Sequence, residues 1–219
     1  ALTVTLCRHI GQRALMRIKN NRRGHIHVCG VAPIGLEFTR RLLEELVERL
    51  PVDREAARAA LDEEEETARK VMLRGFDFAK VMFNSGRAAV IGEASRVIGL
   101  TNLLCNELGM RTLMVAFTNK PDPTELKLLD EVLARRSNQT RVLIDQSGEV
   151  VRQHLAEVKP NIVFGRSTDR IAELDNTAFM TWQFPSTDRL VVYDRPYLGF
   201  RGLTAIVDDI INGFSRIWY

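Results

Sequence analysis

The sequence has little cysteine, no long apolar run and no strong excess of one charge. Its three cysteines lie far apart at Cys7, Cys29 and Cys105, and this scattered, odd number argues against a disulfide framework and favours reduced thiols. No apolar run is long enough to span a membrane, and the N-terminus lacks the basic-then-apolar pattern of a secretion signal. We therefore expect a folded, cytoplasmic chain with no membrane partner.

The charge balance gives no reason to expect a nucleic-acid partner. The net charge is only +3, and basic residues are mostly interspersed with acidic ones. The exception is the stretch 17–23 with four basic residues, which we interpret as a solvated helix end followed by a turn. A basic patch that follows a nucleic-acid backbone is not evident.

Several motifs with well-understood chemistry are also missing. No strand-to-helix loop has the pattern Gly-x-Gly-x-x-Gly or the lysine of a P-loop, which disfavours a phosphate site. No Cys-x-x-Cys or His-Glu-x-x-His pattern indicates a metal site, and no Gly-x-Ser-x-Gly elbow supports acyl transfer. The histidines are accordingly interpreted as structural or surface residues: His9, His25, His27 and His154.

What the sequence does contain is a continuous strand, helix and strand over residues 88–117. Residues 88–91 are an apolar run between two glycines, as in a strand buried on both faces of a parallel sheet. Apolar residues then recur at helical spacing over 96–108, Gly109 ends the helix, and a strand pattern resumes at 112–117. This pattern predicts one βαβ unit.

The alternation continues to the end of the chain. The further predicted helices are 124–135, 148–157, 167–174 and 203–215. The further predicted strands, which alternate with them, are 141–145, 161–164 and 178–182. Regular alternation of this kind predicts an α/β fold with a Rossmann-like, doubly wound parallel sheet.

The first 85 residues have a different pattern, dominated by long helices. The predicted elements are a helix in the second half of 3–19, a strand at 25–28, a helix at 37–50, and one long helix or two in series over 53–83. We place a boundary in a loop at 84–86. Residues 1–85 and residues 86–219 are then expected to form separate parts of the fold.

A candidate site follows from the sheet. Every strand-to-helix loop of a parallel sheet opens at the same edge, which is where ligands of such folds bind. We call this edge the rim, and the candidate cofactor-contacting residues on it are Gly92, Glu93, Ser95, Arg96, Gly165, Arg166 and Ser167. The alternative is that 92–96 is a plain connection whose glycine only turns the chain.

Four segments occur together in a fixed order. They are 32–43 with its Pro33-Ile-Gly turn, 86–100 followed by 107–110, 159–165, and 196–203. Together they resemble the C-terminal half of the nitrogenase component 1 type oxidoreductases. That family includes nitrogenase subunits, dark-operative protochlorophyllide reductase subunits, cofactor-assembly scaffolds and methylthio-alkane reductases.

The resemblance implies a subunit, or a fragment of one, of a heterotetrameric reductase with a homologous second subunit. It also implies that residues 1–85 are part of a middle Rossmann-like domain and that residues 86–219 are a C-terminal Rossmann-like domain. Such a complex takes electrons from an ATP-dependent iron protein through an iron-sulfur cluster, most of whose ligands would lie outside this segment. The loop 92–96 would then be a wall of a cluster pocket or of a subunit interface. Two alternatives stay open: a scaffold that holds an iron-sulfur cofactor during assembly, and an unrelated Rossmann-like domain for a nucleotide or sugar.

The resemblance also implies a metal role for Cys7. This residue precedes Pro33 by 26 positions, close to the spacing of a cofactor cysteine in the family. Thiolate suits iron, whereas a lone cysteine is more commonly a small buried hydrophobe. The family's cofactor histidine has no counterpart in 180–185, and the loop 92–99 is more like that of a partner subunit without the large cofactor. Cys7 and the loop therefore favour different subunit types.

Overall fold

The computed structural model describes residues 2–7, 9, 11–21, 25–28, 31–136, 139–170, 174, 176–182 and 195–218. The strands are β1 Leu2–Thr5, β2 His25–Val28, β3 Arg87–Gly92, β4 Arg111–Phe117, β5 Arg141–Ile144, β6 Ile162–Gly165 and β7 Ala178–Thr181. The α-helices are α1 Gln12–Asn21, α2 Gly35–Arg49, α3 Arg54–Ser85, α4 Ala94–Asn102, α5 Pro123–Ala134, α6 Gly148–Val158 and α7 Gly199–Trp218.

The larger sheet has five parallel strands in the order β5-β4-β3-β6-β7. Within this sheet the first strand in sequence, β3, is central. The chain then adds β4 and β5 on one side of β3, and β6 and β7 on the other. Five residues of β3, from Ala88 to Gly92, are buried, as expected for a strand covered on both faces. The predicted α/β class and the Rossmann-like, doubly wound parallel sheet are confirmed.

Helices cover both faces of this sheet. The main apolar core lies on one face and joins the sheet to α4, α5 and the packed group of α2, α3 and α7. A smaller cluster on the other face joins β3, β4 and β6 to Leu155 of α6. None of the helices in the described part of the chain has the length and apolar character needed to cross a membrane.

The N-terminal part forms a separate parallel pair, β1 with β2. Strand β2 and helix α1 lie where the sequence predicts a strand and a helix. Strand β1 is not predicted, because four residues of mixed polarity are too few to show a period. It is half-buried and pairs with β2 from Leu2 through Thr5.

Two predicted helix ends beside β3 differ from the structure. Helix α3 is a single helix with Asp53 as its N-cap. It includes the first two residues of the predicted loop 84–86 and ends at Ser85. The Ser85 hydroxyl donates to the carbonyls of Val81 and Met82, which keeps the last turn closed. The helix predicted from residue 96 starts two residues earlier, at Ala94, and its last turn is a π-helix over Leu103–Glu107.

Two predicted elements near the C-terminus also differ. The helix predicted at 167–174 is only a 3-10 turn, Ser167–Asp169, because the Asp169 side chain folds back onto Arg166 and residue 170 is extended. Residues 171–173 lie outside the described part. The closing helix starts at Gly199, four residues before the predicted start, where the Gly199 N–H donates to Pro33 O at 2.9 Å.

Candidate functional site

The predicted rim loops lie next to each other at the reversal of strand order. Strand β3 pairs with β6 from Ala88 to Val90, so the loops that follow Gly92 and Gly165 leave the sheet from neighbouring strands. In doubly wound folds this switch point is where ligands bind. The structure therefore brings together the two loops that the sequence analysis selected.

The first loop, 92–96, forms hydrogen bonds with other parts of the protein. Thr118 N donates to Gly92 O at 2.8 Å, and Ala94 N donates to Asn119 Oδ1 at 2.9 Å, which caps the start of α4. The backbone carbonyl of Glu93 accepts from Val97 N. Ala94 N, the first donor of α4, is therefore already bound within the protein and is not offered to an anion.

One of the candidate rim residues, Ser95, lies in the protein interior. It is fully buried, and its carbonyl accepts from Ala32 N at 3.2 Å. Its hydroxyl has no hydrogen-bond partner. Ser95 therefore faces the turn at 31–34, while the neighbouring Arg96 is half-buried.

The second loop closes on itself. The Arg166 guanidinium donates to both carboxylate oxygens of Asp169, at 3.0 Å from Nε and 2.8 Å from Nη2, and Arg166 N donates to Oδ2. This hydrogen-bonded pair raises the pKa of Arg166. Gly165 O accepts from Trp182 N at 2.8 Å, and Ser167 starts the 3-10 turn. Arg166 is thus paired within its own loop.

The cavity beside this loop is small. It measures about 70 Å³ and is lined by Ile91, Phe117, Gln146, Arg152, Arg166 and Thr168, among others. Ligand pockets are typically about 300–1,000 Å³. This cavity is too small for a nucleotide, so it gives no support to the nucleotide-binding alternative.

A carboxylate that the sequence analysis did not select organises the opposite side of α4. Glu107 accepts from Leu36 N at 2.8 Å and from Glu37 N at 3.2 Å, so it caps the start of α2. Helix α2 has no side-chain cap of its own, since Ile34 stands at its N-cap. A Cβ at Gly35, whose φ is +80°, would lie 2.6 Å from Glu107 Oε1. Only glycine fits there without rearrangement.

Two further side chains extend this contact into a network. Asn102 Nδ2 donates to Glu37 at 3.2 Å and to Glu107 at 3.3 Å. Arg135, just after α5, donates to both carboxylate oxygens of Glu37 at 2.6 and 2.8 Å, which lowers the pKa of Glu37. Burial raises the pKa of Glu107, whose carboxylate has no direct cationic partner in the described part. The network joins α2 to the C-terminal α/β unit.

The turn at 31–34 is where three of the four resembling segments meet. Pro33 O accepts from Gly199 N at 2.9 Å and from the Thr39 hydroxyl at 3.1 Å. A Cβ at Gly99 would lie 2.9 Å from Ala32 O, so α4 can pack this closely because it has glycine there. These residues tie α2, α4 and α7 to one another.

The remaining segment, 159–165, is held by Asn161. Its Oδ1 accepts from Arg87 N at 2.7 Å, and its Nδ2 donates to Ser85 O at 3.1 Å. Asn161 thereby fixes the start of β6 against the junction between α3 and β3. These contacts explain why a polar residue stands at position 161, which its place before a strand in the sequence does not show.

The cysteines of the described part do not form a metal centre. Cys7 is half-buried, whereas Cys105 is buried and donates to the Thr112 hydroxyl at 3.1 Å, and burial raises the pKa of Cys105. Cys29 lies outside the described residues. Among the described residues, no three His, Cys, Asp or Glu side chains are grouped as metal ligands. The described residues alone therefore do not supply the several thiolates that an iron-sulfur cluster requires.

The described histidine side chains contact charged side chains. His9 Nε2 lies 2.9 Å from Glu125 Oε2, and Glu125 is almost fully buried in the first turn of α5. His154 contacts Arg141 and Glu157 on the surface. The structural and surface roles expected for these two histidines agree with these contacts.

The fold and the rim define a class of protein. It is a Rossmann-like α/β protein in which the described loops at the rim form hydrogen bonds mainly with other residues of the same chain. Within that class, the family model described as "Nitrogenase component 1 type Oxidoreductase" matches residues 1–215. The chain therefore belongs to the nitrogenase component 1 type oxidoreductase family, and the resemblance seen in the sequence is confirmed.

Similar proteins include subunits of two kinds of reductase. A light-independent protochlorophyllide reductase subunit of Chloroflexus aurantiacus is 28% identical over 95% of this chain and 39% of its own length. The nitrogenase molybdenum-iron protein beta chain of Methanothermobacter thermautotrophicus is 25% identical over 85% of this chain and 39% of its own. The nitrogenase vanadium-iron protein beta chain of Trichormus variabilis is 26% identical over 96% and 45%.

A solved structure described as "Nitrogenase Cp1 at pH 6.5" has the same fold. It superposes with a TM-score of 0.81 at 21% identity, and the match covers 98% of this chain and 45% of that one. The chain thus spans less than half the length of each of these similar proteins.

Proposed function

We propose that the chain is part of a subunit of a nitrogenase-like iron-sulfur reductase complex that takes electrons from an ATP-dependent iron protein. The match of the family model over residues 1–215 is the observation that carries this proposal. The contacts of the four resembling segments support it, because three of them meet at Pro33 and the fourth is fixed by Asn161.

The partner proposed for this chain is a homologous second subunit within a heterotetramer. The names of the similar proteins describe each of them as a beta chain or as one of several reductase subunits, which implies further subunits beside them. The loop 92–99, whose sequence is more like that of a partner subunit, supports the same assignment. We expect reductase activity only within the complex.

Most ligands of the cluster are proposed to lie outside this segment, because the described residues hold no set of thiolates. In this arrangement residues 1–85 are part of a middle domain and residues 86–219 are a C-terminal domain. The rim residues, among them Glu93 and Arg166, would border the cluster pocket or the partner subunit. Cys7 is the one described thiol near the N-terminal strands that is not fully buried, and it stays a proposed ligand.

Anaerobic purification of the full-length protein with its partner subunit tests this function. Iron content and EPR should reveal a cluster, and the iron protein should reduce that cluster only when ATP is present. A cluster that is present but is not reduced in this way would favour the alternative, a scaffold that holds an iron-sulfur cofactor during assembly. An iron-free monomer would refute both.

A further inference from the structure

Three aromatic rings form a continuous row from the sheet core toward the start of α7. Phe164 in β6 is fully buried, and its ring centroid lies 6.4 Å from that of Trp182, with the planes at 85°. Trp182 is followed by Tyr197 at 5.2 Å and 78°. Both contacts are edge-to-face within the usual distance range, so the rings pack directly against one another.

The middle ring lies at the rim. Trp182 follows β7 directly, and its backbone N–H donates to the carbonyl of Gly165, the residue at which β6 ends. The indole is half-buried. An oxidising species produced at this edge of the sheet would therefore meet Trp182 close to the loop that contains Arg166.

The outer ring has a proton acceptor in place. The Tyr197 hydroxyl donates to Asp209 Oδ2 at 2.8 Å, and Arg195 donates to Asp209 Oδ1 at 2.7 Å. The Asp209 side chain is only 13% exposed, and the Arg195 contact orients it. A phenol that loses an electron becomes strongly acidic, so its oxidation is easiest when a carboxylate already holds the hydrogen bond.

We propose that Trp182 and Tyr197 form a relay that carries oxidising equivalents from the rim to the protein surface. A one-electron oxidant, such as a radical derived from peroxide, takes one electron from the Trp182 indole and is itself reduced. Tyr197 then gives one electron to the indole radical cation and its phenolic proton to Asp209. The products are neutral Trp182, a neutral tyrosyl radical and a protonated Asp209 carboxyl.

The direction of the relay follows from the three rings. A phenylalanine ring is much harder to oxidise than an indole or a phenol, so Phe164 ends the path on the core side. Tyr197 is partly exposed, which lets a small reductant such as a thiol return the electron while Asp209 returns the proton. Packing of the Tyr197 ring against Trp182 would need neither the Tyr197 hydroxyl nor the Asp209 carboxylate. This relay does not depend on the proposed reductase function, because it needs only an oxidant at the rim.

The test uses the full-length protein with its partner subunit and a flash-generated tris(bipyridine)ruthenium(III) ion as the oxidant. Time-resolved absorption and EPR should detect an indole radical that decays as a tyrosyl radical forms. Tyr197→Phe keeps the ring and removes the hydroxyl, so the part of the tyrosyl signal that comes from Tyr197 should be lost and the indole radical should persist. Trp182→Phe should slow tyrosyl formation, and Asp209→Asn should lower its yield.

Tyr193→Phe and Tyr219→Phe serve as controls, because they remove the other two tyrosines of this segment and should leave the Tyr197 signal in place. Circular dichroism and the elution volume of each complex check that the variants keep the fold and the assembly. An unchanged tyrosyl signal in Tyr197→Phe, or an unchanged rate in Trp182→Phe, would overturn the relay. The same outcomes leave the ATP-dependent reduction test unaffected, so the two proposals fail separately.

Discussion

Replacing Glu107 by alanine tests the network that attaches α2 to the C-terminal α/β unit. The change removes the acceptor of Leu36 N and Glu37 N, and no other side chain among the described residues caps this helix start. A lost N-cap costs about 1 kcal/mol, and a buried N–H without an acceptor costs about 1–3 kcal/mol. Leu36 is only 5% exposed, so water cannot readily replace the carboxylate. We expect the free energy of unfolding to fall by about 2–4 kcal/mol.

Urea unfolding followed by circular dichroism measures this change, with Glu63→Ala as the matched control. Glu63 is an exposed acid on α3, so its replacement should change the stability by no more than about 0.5 kcal/mol. Glu107→Gln keeps one oxygen acceptor and should cost about 1 kcal/mol. If Glu107→Ala were as stable as Glu63→Ala, the capping role would be refuted.

The pH dependence of the same variants gives an independent test. Burial raises the pKa of Glu107 above the ordinary glutamate value of 4.5, although two backbone N–H groups act in the opposite direction. The folded protein therefore holds this proton more tightly than the unfolded chain does, and the resulting stabilisation is lost as the pH rises through the raised pKa. Glutamine does not titrate. The stability gap between the wild type and Glu107→Gln should narrow as the pH rises above 4.5, and a widening gap would contradict this assignment.

Three other substitutions test separate features by the same unfolding measurement. Gly35→Ala places a Cβ 2.6 Å from Glu107 Oε1 at a φ of +80° and should cost about 1–3 kcal/mol, whereas a neutral effect would mean that the turn relaxes freely. Asp122→Ala removes the capping box of α5 and should cost about 1 kcal/mol; no loss would show that Glu125 alone suffices. Leu104→Ala empties a fully buried site in the π-turn and should cost about 2–5 kcal/mol, and a smaller loss would indicate that the core collapses around it.

The strands of the larger sheet were predictable because each is a short apolar run between polar or glycine residues. Strand β6 is one such run, with all four of its residues buried. The start of α7 was not predictable, because Gly199 and Gly202 favour a loop by composition. A Cβ at Gly202 would lie 2.4 Å from the Tyr197 backbone, which explains the second glycine only once the fold is known.

The candidate site was only partly predictable for a related reason. The rim follows from strand direction, so Gly92 and Gly165 lie where the sequence analysis expected them. Side-chain partners depend on tertiary contacts that carry no local signal. Ser95 is buried against the turn at residue 32, Arg166 is paired with Asp169, and Glu107 caps a helix 71 positions earlier.

The backbone hydrogen bond from Gly199 to Pro33 joins residues that are synthesised far apart in time. During synthesis the turn at 31–34 leaves the ribosome long before Gly199 exists, and α2 must likewise wait for Glu107 to cap it. Closing such long loops is entropically unfavourable until the contacts that reward it are present. The five-stranded sheet can form from nearer neighbours, whereas the N-terminal turn completes its contacts only after the last helix has begun. A nascent chain that stops short of residue 199 should therefore leave this turn accessible to a protease.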